Sequence, residues 1–151
     1  MSLFPDIDQS AVLSNLDTAT AAEDIAAGFR YDHEAGGFAL TDGAPAEATG
    51  REAVREWIGM MLRVRKGRDA VFDGLRVQPG IDRDALIGSR SLPTGFRRSE
   101  LMREISETLA LCPAIMSADG FSFSRDGRAL VVQFTVTLRT GDTMEVSADV
   151  G

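Results

Sequence analysis

Leu130-Val131-Val132-Gln133-Phe134-Thr135-Val136-Thr137-Leu138 sets Leu130, Val132, Phe134, Val136 and Leu138 against Val131, Gln133, Thr135 and Thr137 over nine residues. A period of two in β-branched and aromatic residues marks a strand with one buried face. Upstream, Phe121 and Phe123 alternate with Ser122 and Ser124, and Asp126-Gly127 supplies a hairpin turn. Downstream, Thr140-Gly141-Asp142 turns the chain into Met144-Glu145-Val146-Ser147-Ala148, which alternates again. The C-terminal third therefore reads as a three-stranded antiparallel meander. Leu130–Leu138 is its expected buried centre and Thr143–Asp149 its edge.

Two helical patterns precede the meander. Val54, Trp57, Ile58, Met61 and Leu62 recur at the i, i+3, i+4, i+7, i+8 spacing of one buried stripe. Thr49 with Glu52 makes a capping-box signature, so a helix is expected from about Gly50 to about Val64, stopping near Gly67. Leu101, Met102, Ile105, Leu109 and Cys112 mark a second helix from about Ser99, its expected cap, to Cys112, where Pro113 ends it. Helices packed on one face of an antiparallel sheet define an α+β architecture in two layers.

The remaining segments are shorter. Residues 1–24 read as an N-terminal arm, ordered where Leu3, Phe4 or Ile7 docks, with one short helix around Val12, Leu13 and Leu16. Residues 25–151 are expected to form a single domain, and a chain of 151 residues is long enough to bury roughly 70% of its unfolded surface. Phe29-Arg30-Tyr31-Asp32 and Gly37-Phe38-Ala39-Leu40 flank a turn at His33-Glu34-Ala35-Gly36. They predict a hairpin with Phe29, Tyr31, Phe38 and Leu40 facing inward. Val71, Phe72, Leu75 and Val77 suggest a short strand or an extended crossing segment, and Asp82 to Gly88 one or two helical turns closed by Gly88.

Composition narrows the function classes. The net charge is −7, so the field of the whole chain repels nucleic acid and anionic membrane. No apolar stretch approaches the ~20 residues of a membrane helix, and the N-terminus lacks the basic and apolar regions of a signal peptide. The single cysteine, Cys112, excludes an internal disulfide, and a reducing cytosolic origin is the default expectation. Of the 16 basic residues Lys66 is the one lysine; it lies in the run Arg63, Arg65, Lys66, Arg68. That run reads either as a solvated helix end or as a docking patch for an acidic protein surface.

The sequence carries no P-loop, dinucleotide fingerprint, nucleophile elbow or metalloprotease helix. One histidine, His33 in the expected turn, and one cysteine on an apolar helix face leave no Cys/His zinc set. The acid pairs Glu52/Glu56 and Asp82/Asp84 each have a structural explanation: a solvated helix face beside Arg51 and Arg55, and a helix start. The residues thus predict no catalytic, cofactor-binding or metal site.

Several blocks recur in a recognisable order: Leu3-Phe4-Pro5, Phe38-x-Leu40-x-Asp42-Gly43, Glu52-Ala53-x-x-Glu56-Trp57-Ile58, Leu62-Arg63 and Leu86-Ile87-Gly88. Glu107-x-Leu109, Pro113-x-Ile115, Phe121-Ser122-Phe123 and Leu130-x-Val132-x-Phe134-Thr135-Val136 follow. This ordered set resembles the baseplate proteins of contractile phage-like tails, relatives of the wedge protein once labelled a tail lysozyme.

The resemblance implies a structural component of a contractile injection system, assembled in the bacterial cytoplasm and present in six copies per baseplate. Its implied partners are sheath, tail-tube or hub, and other wedge proteins, with no nucleic acid, membrane or cofactor. It also implies that the C-terminal strand, here Thr143, Met144, Glu145, Val146, Ser147, Ala148 and Asp149, joins a sheet with arms of the first sheath ring. The wedge family's Glu-Pro-Arg docking motif is replaced here by Gly67-Arg68-Asp69. Arg63, Arg65, Arg68 and Asp69 are the corresponding candidate contacts.

Two other readings stand beside this one, a cell-wall glycan hydrolase built on two carboxylates and a small cytosolic adaptor. On the assembly reading, removal of Thr143–Gly151 is expected to leave a folded domain.

Overall fold

A computed structural model of the chain describes residues 27–87 and 91–151. The expected arm at residues 1–24, with its docking residues and short helix, lies outside the described residues, as does the stop at Gly88. The fold is α+β, and the chain divides into two units with the boundary between Val54 and Arg55.

Among the described residues the first unit holds six short strands: β1 (Ala27–Phe29), β2 (Tyr31–Asp32), β3 (Gly37–Phe38), β4 (Leu40–Thr41), β5 (Ala44–Pro45) and β6 (Glu47–Thr49). They pair antiparallel as β1 with β6, β2 with β3 and β4 with β5. The three ribbons leave a closed ring of backbone hydrogen bonds. Arg30 N–H donates to Ala46 O (2.9 Å), Ala46 N–H to Ala39 O (2.7 Å) and Ala39 N–H to Arg30 O (3.0 Å).

The expected hairpin turn forms at its base. Asp32 Oδ1 accepts from the backbone N–H groups of Glu34 (2.9 Å) and Ala35 (3.0 Å), an Asx-type closure. The inward assignment fails, because Phe29, Phe38 and Leu40 are 49%, 54% and 66% exposed. Each segment changes partner at the ring, so the alternation never defines one buried face. Phe38 instead stacks edge-on with Phe29 and Tyr31 at 6.2 and 5.4 Å.

Helix α1 (Gly50–Met61) begins in the first unit and ends in the second. Val54, Ile58 and Leu62 are fully buried, as their spacing predicts, while Trp57 and Met61 are half-buried. Glu52 turns its carboxylate to Arg30 at 2.8 Å.

In the second unit the chain leaves α1 and returns at Ile81, whose N–H donates to Val64 O (3.1 Å) and whose carbonyl accepts from Lys66 N–H (3.2 Å). This closure leaves the intervening segment without a strand partner. Of the two expectations for this segment, the short strand is absent: Ala70–Phe72 is a 3-10 turn, and Val71 and Leu75 are exposed. A one-turn helix α2 (Arg83–Leu86) follows, capped by Asp82 Oδ1 accepting from Ala85 N–H at 3.1 Å.

Helix α3 spans Thr94–Leu109 and so starts five residues before the expected Ser99. Pro93 occupies its N-cap position, next to the first turn, where unpaired N–H groups are the rule and proline is tolerated. The Ser99 hydroxyl donates back to Gly95 O (3.1 Å) inside the helix. Leu101, Ile105 and Leu109 are buried at i, i+4 and i+8, whereas Met102 is exposed. Cys112 is a buried core residue in the turn beyond the helix.

The sheet is an antiparallel meander in the order β7 (Ile115–Asp126), β8 (Ala129–Leu138), β9 (Thr143–Asp149). Strand β7 is longer than its Phe121–Ser124 signal. Register shifts between Ile115 and Ser117 and between Asp119 and Ser122 interrupt its alternation. Gly120 sits in the second shift at φ +67°, where a side chain is strained. Strand β8 is central, and Val132, Phe134, Val136 and Leu138 are at most 2% exposed. Each such side chain stabilises the fold by about 1.5–3 kcal/mol. Helix α3 lies against β7.

Candidate assembly interface

Strand β9 has the register Thr137↔Thr143 through Val131↔Asp149 on β8. Beyond its two ends, Leu138 N–H donates to Asp142 O (2.8 Å) and Val150 N–H to Leu130 O (2.9 Å). In an antiparallel ladder the hydrogen-bonded pairs recur every second residue. The bonds at Leu138/Asp142 and Leu130/Val150 therefore place the even-numbered residues of β9 in hydrogen-bonded pairs with β8. The odd-numbered ones, Glu145, Ser147 and Asp149, aim their N–H and C=O groups at the other edge. Among the described residues no strand pairs with that edge.

The side chains divide the same way. Met144 and Val146 are buried, Ala148 is half-buried, and Thr143, Glu145, Ser147 and Asp149 are exposed. Val150, just past the strand, is wholly buried. The expectation that Thr143–Gly151 can be removed without loss of fold does not survive this packing. Met144, Val146 and Val150 belong to the core, so their deletion uncovers β8.

The ends of β9 are held locally. Thr140 Oγ1 donates to Asp142 Oδ2 (3.2 Å) in the preceding turn, and Gly151 N–H donates to Asp149 Oδ1 (2.9 Å) after it. Arg139 donates through its backbone N–H to Ala114 O (3.0 Å) and through Nε to Pro113 O, fixing the turn to the start of β7.

The basic run lies on the loop after α1, and its members divide sharply. Arg68 is bound within the chain, 2.7 Å from Asp84. Lys66 approaches the buried Glu104 (3.4 Å) and Glu107 (3.9 Å). Arg63 and Arg65 are exposed and have no ion pair among the described residues. Asp69 is exposed at the start of the 3-10 turn and makes no side-chain cap.

Sequence reasoning missed Arg83 and Glu104. Arg83 donates to Leu62 O (3.2 Å). Burial holds its guanidinium below the ordinary arginine range; Asp149 opposes that shift, and the nearby Arg65 and Arg63 add to it. Arg83 thus feels the charge of Asp149 at the end of β9 and of Arg63 and Arg65 in the basic run. No periodic or charge signal marks it in the sequence.

The histidine and acid pairs weighed for chemistry in the sequence have structural roles. His33 is an exposed turn residue 5.0 Å from the Tyr31 ring. Asp82 caps α2, and Asp84 is taken by Arg68. Among the described residues no group of acidic, histidine and cysteine side chains is arranged to hold a metal, and no helix is long and apolar enough to cross a membrane.

Residues 27–141 match the contractile injection system sheath initiator family, and the chain belongs to that family. The match takes in α1, α2 and α3 and the first two strands of the meander, ending just before β9. The family's part in the injection system is structural. No curated protein matches the chain.

Proposed function

We propose that this chain starts sheath assembly at a baseplate by strand addition on the open edge of β9. The observation that carries this reading is the parity of the β8–β9 ladder. It leaves the backbone groups of Glu145, Ser147 and Asp149 directed outward on an edge with no partner among the described residues. Such groups bond an incoming extended segment without a change of fold. Exposed Glu145 and Asp149 discourage indiscriminate edge pairing until the sheath arm arrives.

Arg63 and Arg65 dock the chain to acidic surfaces of neighbouring tube or wedge proteins. They are the members of the basic run without an ion pair among the described residues, whereas Arg68 and Lys66 are engaged within the fold. Six copies, loaded on the baseplate in the bacterial cytoplasm, complete the reading.

Hydrogen–deuterium exchange tests the strand-addition step. In the isolated protein the outward amides of Glu145, Ser147 and Asp149 exchange rapidly, and on the sheath-bearing baseplate they become protected. Unchanged exchange over Thr143–Asp149 in the assembled particle contradicts the proposal.

A further inference from the structure

A second surface of the C-terminal unit has no residue of β9 in its lining. Helix α3 presents Thr94, Arg97, Arg98 and Leu101 at i, i+3, i+4 and i+7 beside the end of α2 and the β7–β8 hairpin. Between these elements is an open cavity of about 160 Å³ with Leu86, Leu101 and Leu130 in its walls. Arg97, Arg98, Arg125 and Arg128 line it as well, and among the described residues no carboxylate does. In a chain of net charge −7 this is a local reversal of sign.

Two further observations bear on what the surface takes. Arg98, Arg125 and Arg128 are exposed and have no ion pair among the described residues. The first turn of α3 also has no acidic residue, so Arg97 and Arg98 stand close to the positive pole of a sixteen-residue helix. Cations there oppose the helix dipole, and an arriving anion relieves both effects. A cavity of about 150 Å³ with apolar walls holds a benzene ring, so one large aliphatic or aromatic side chain matches this space.

We propose that this cavity docks an acidic peptide segment of a partner protein, with one large apolar side chain between Leu86, Leu101 and Leu130 and flanking carboxylates on the arginine rim. Guanidinium groups suit this task because they bind carboxylates in bidentate fashion and are weakly hydrated. The apolar floor favours a peptide over nucleic acid, whose phosphates are in addition repelled by the whole-chain field. The surface is independent of strand addition and does not use the outward groups of β9.

The test is an NMR titration of the isotope-labelled full chain with the acetylated, amidated hexapeptide Glu-Asp-Leu-Phe-Asp-Glu. Saturable shifts centred on Leu86, Leu101 and Leu130 are expected, with binding about tenfold weaker at about 500 mM than at about 50 mM salt. Arg125→Glu with Arg128→Glu, and separately Arg98→Glu, weakens binding about tenfold or more while the thermal unfolding midpoint is retained. A peptide with serines in place of leucine and phenylalanine does not saturate.

Four results overturn the proposal. They are no saturable binding at about 1 mM peptide, equal binding of the serine peptide, indifference to charge reversal, and equal binding of an oligothymidylate or of anionic phospholipid vesicles. Because hydrogen exchange reads the outward amides of β9 and the titration reads a cavity with no β9 residue in its lining, failure of this proposal and failure of strand addition are distinguished.

Discussion

Glu104 Oε2 accepts a hydrogen bond from the backbone N–H of Asp82 at 2.9 Å. Its other carboxylate oxygen meets Lys66 Nζ at 3.4 Å, and the residue is 5% exposed. One carboxylate on α3 therefore holds both ends of the loop that carries the basic run. Glu104→Ala leaves an unpaired N–H at Asp82 and releases Lys66, and it should lower stability by about 2–4 kcal/mol. Lys66→Met should cost less, since Lys66 is partly solvated and Asp82 keeps its acceptor. Urea unfolding of both variants and of the double variant measures the coupling.

The same loop is closed from a second side. Gly80 N–H donates to Thr108 Oγ1 at 3.0 Å, and Gly80 has φ +98° with a built Cβ only 2.5 Å from Val64 O. Gly80→Ala forces the Val64–Ile81 pairing apart and should destabilise by about 2–4 kcal/mol. A denaturation midpoint within error of the parent would refute this close approach.

The Asp32 carboxyl is held below its ordinary value of 3.8 by the backbone hydrogen bonds from Ala35 and Glu34. A depressed folded-state pKa stabilises the turn above the unfolded value and loses that contribution as pH falls through the folded value. The side-chain carboxyl carbon of Asp32 should titrate in NMR with a midpoint below 3.8. The Glu34 and Ala35 amides should shift with the same midpoint, and in Asp32→Ala they should not titrate in that window.

Much of the fold was legible because its signals are periodic. The alternation at Leu130–Leu138 located β8, and the edge at Thr143–Asp149 coincided with β9 residue for residue. Strand β7 was seen only in part because Ser117 to Gly120 breaks the alternation where the register shifts. The inward positions of the first hairpin were misassigned because the strand segments there are two or three residues long and change partners.

The candidate interface was legible as a stretch of chain but not as chemistry. Sequence alone does not disclose that Arg68 is taken by Asp84, that Arg83 bonds Leu62 O, or that four arginines converge on one cavity. These are meetings of residues distant in the chain, which no local pattern encodes.

Ser147→Pro tests the central claim most directly, because it removes one outward N–H of β9 while leaving the bonds to β8 in place, a change an edge strand tolerates. The variant is expected to fold with a circular dichroism spectrum and thermal midpoint close to the parent's, to join the baseplate, and to fail to start a sheath, as counted by electron microscopy of assembled particles. Sheaths of normal number and length on baseplates that carry the folded Ser147→Pro chain would contradict it.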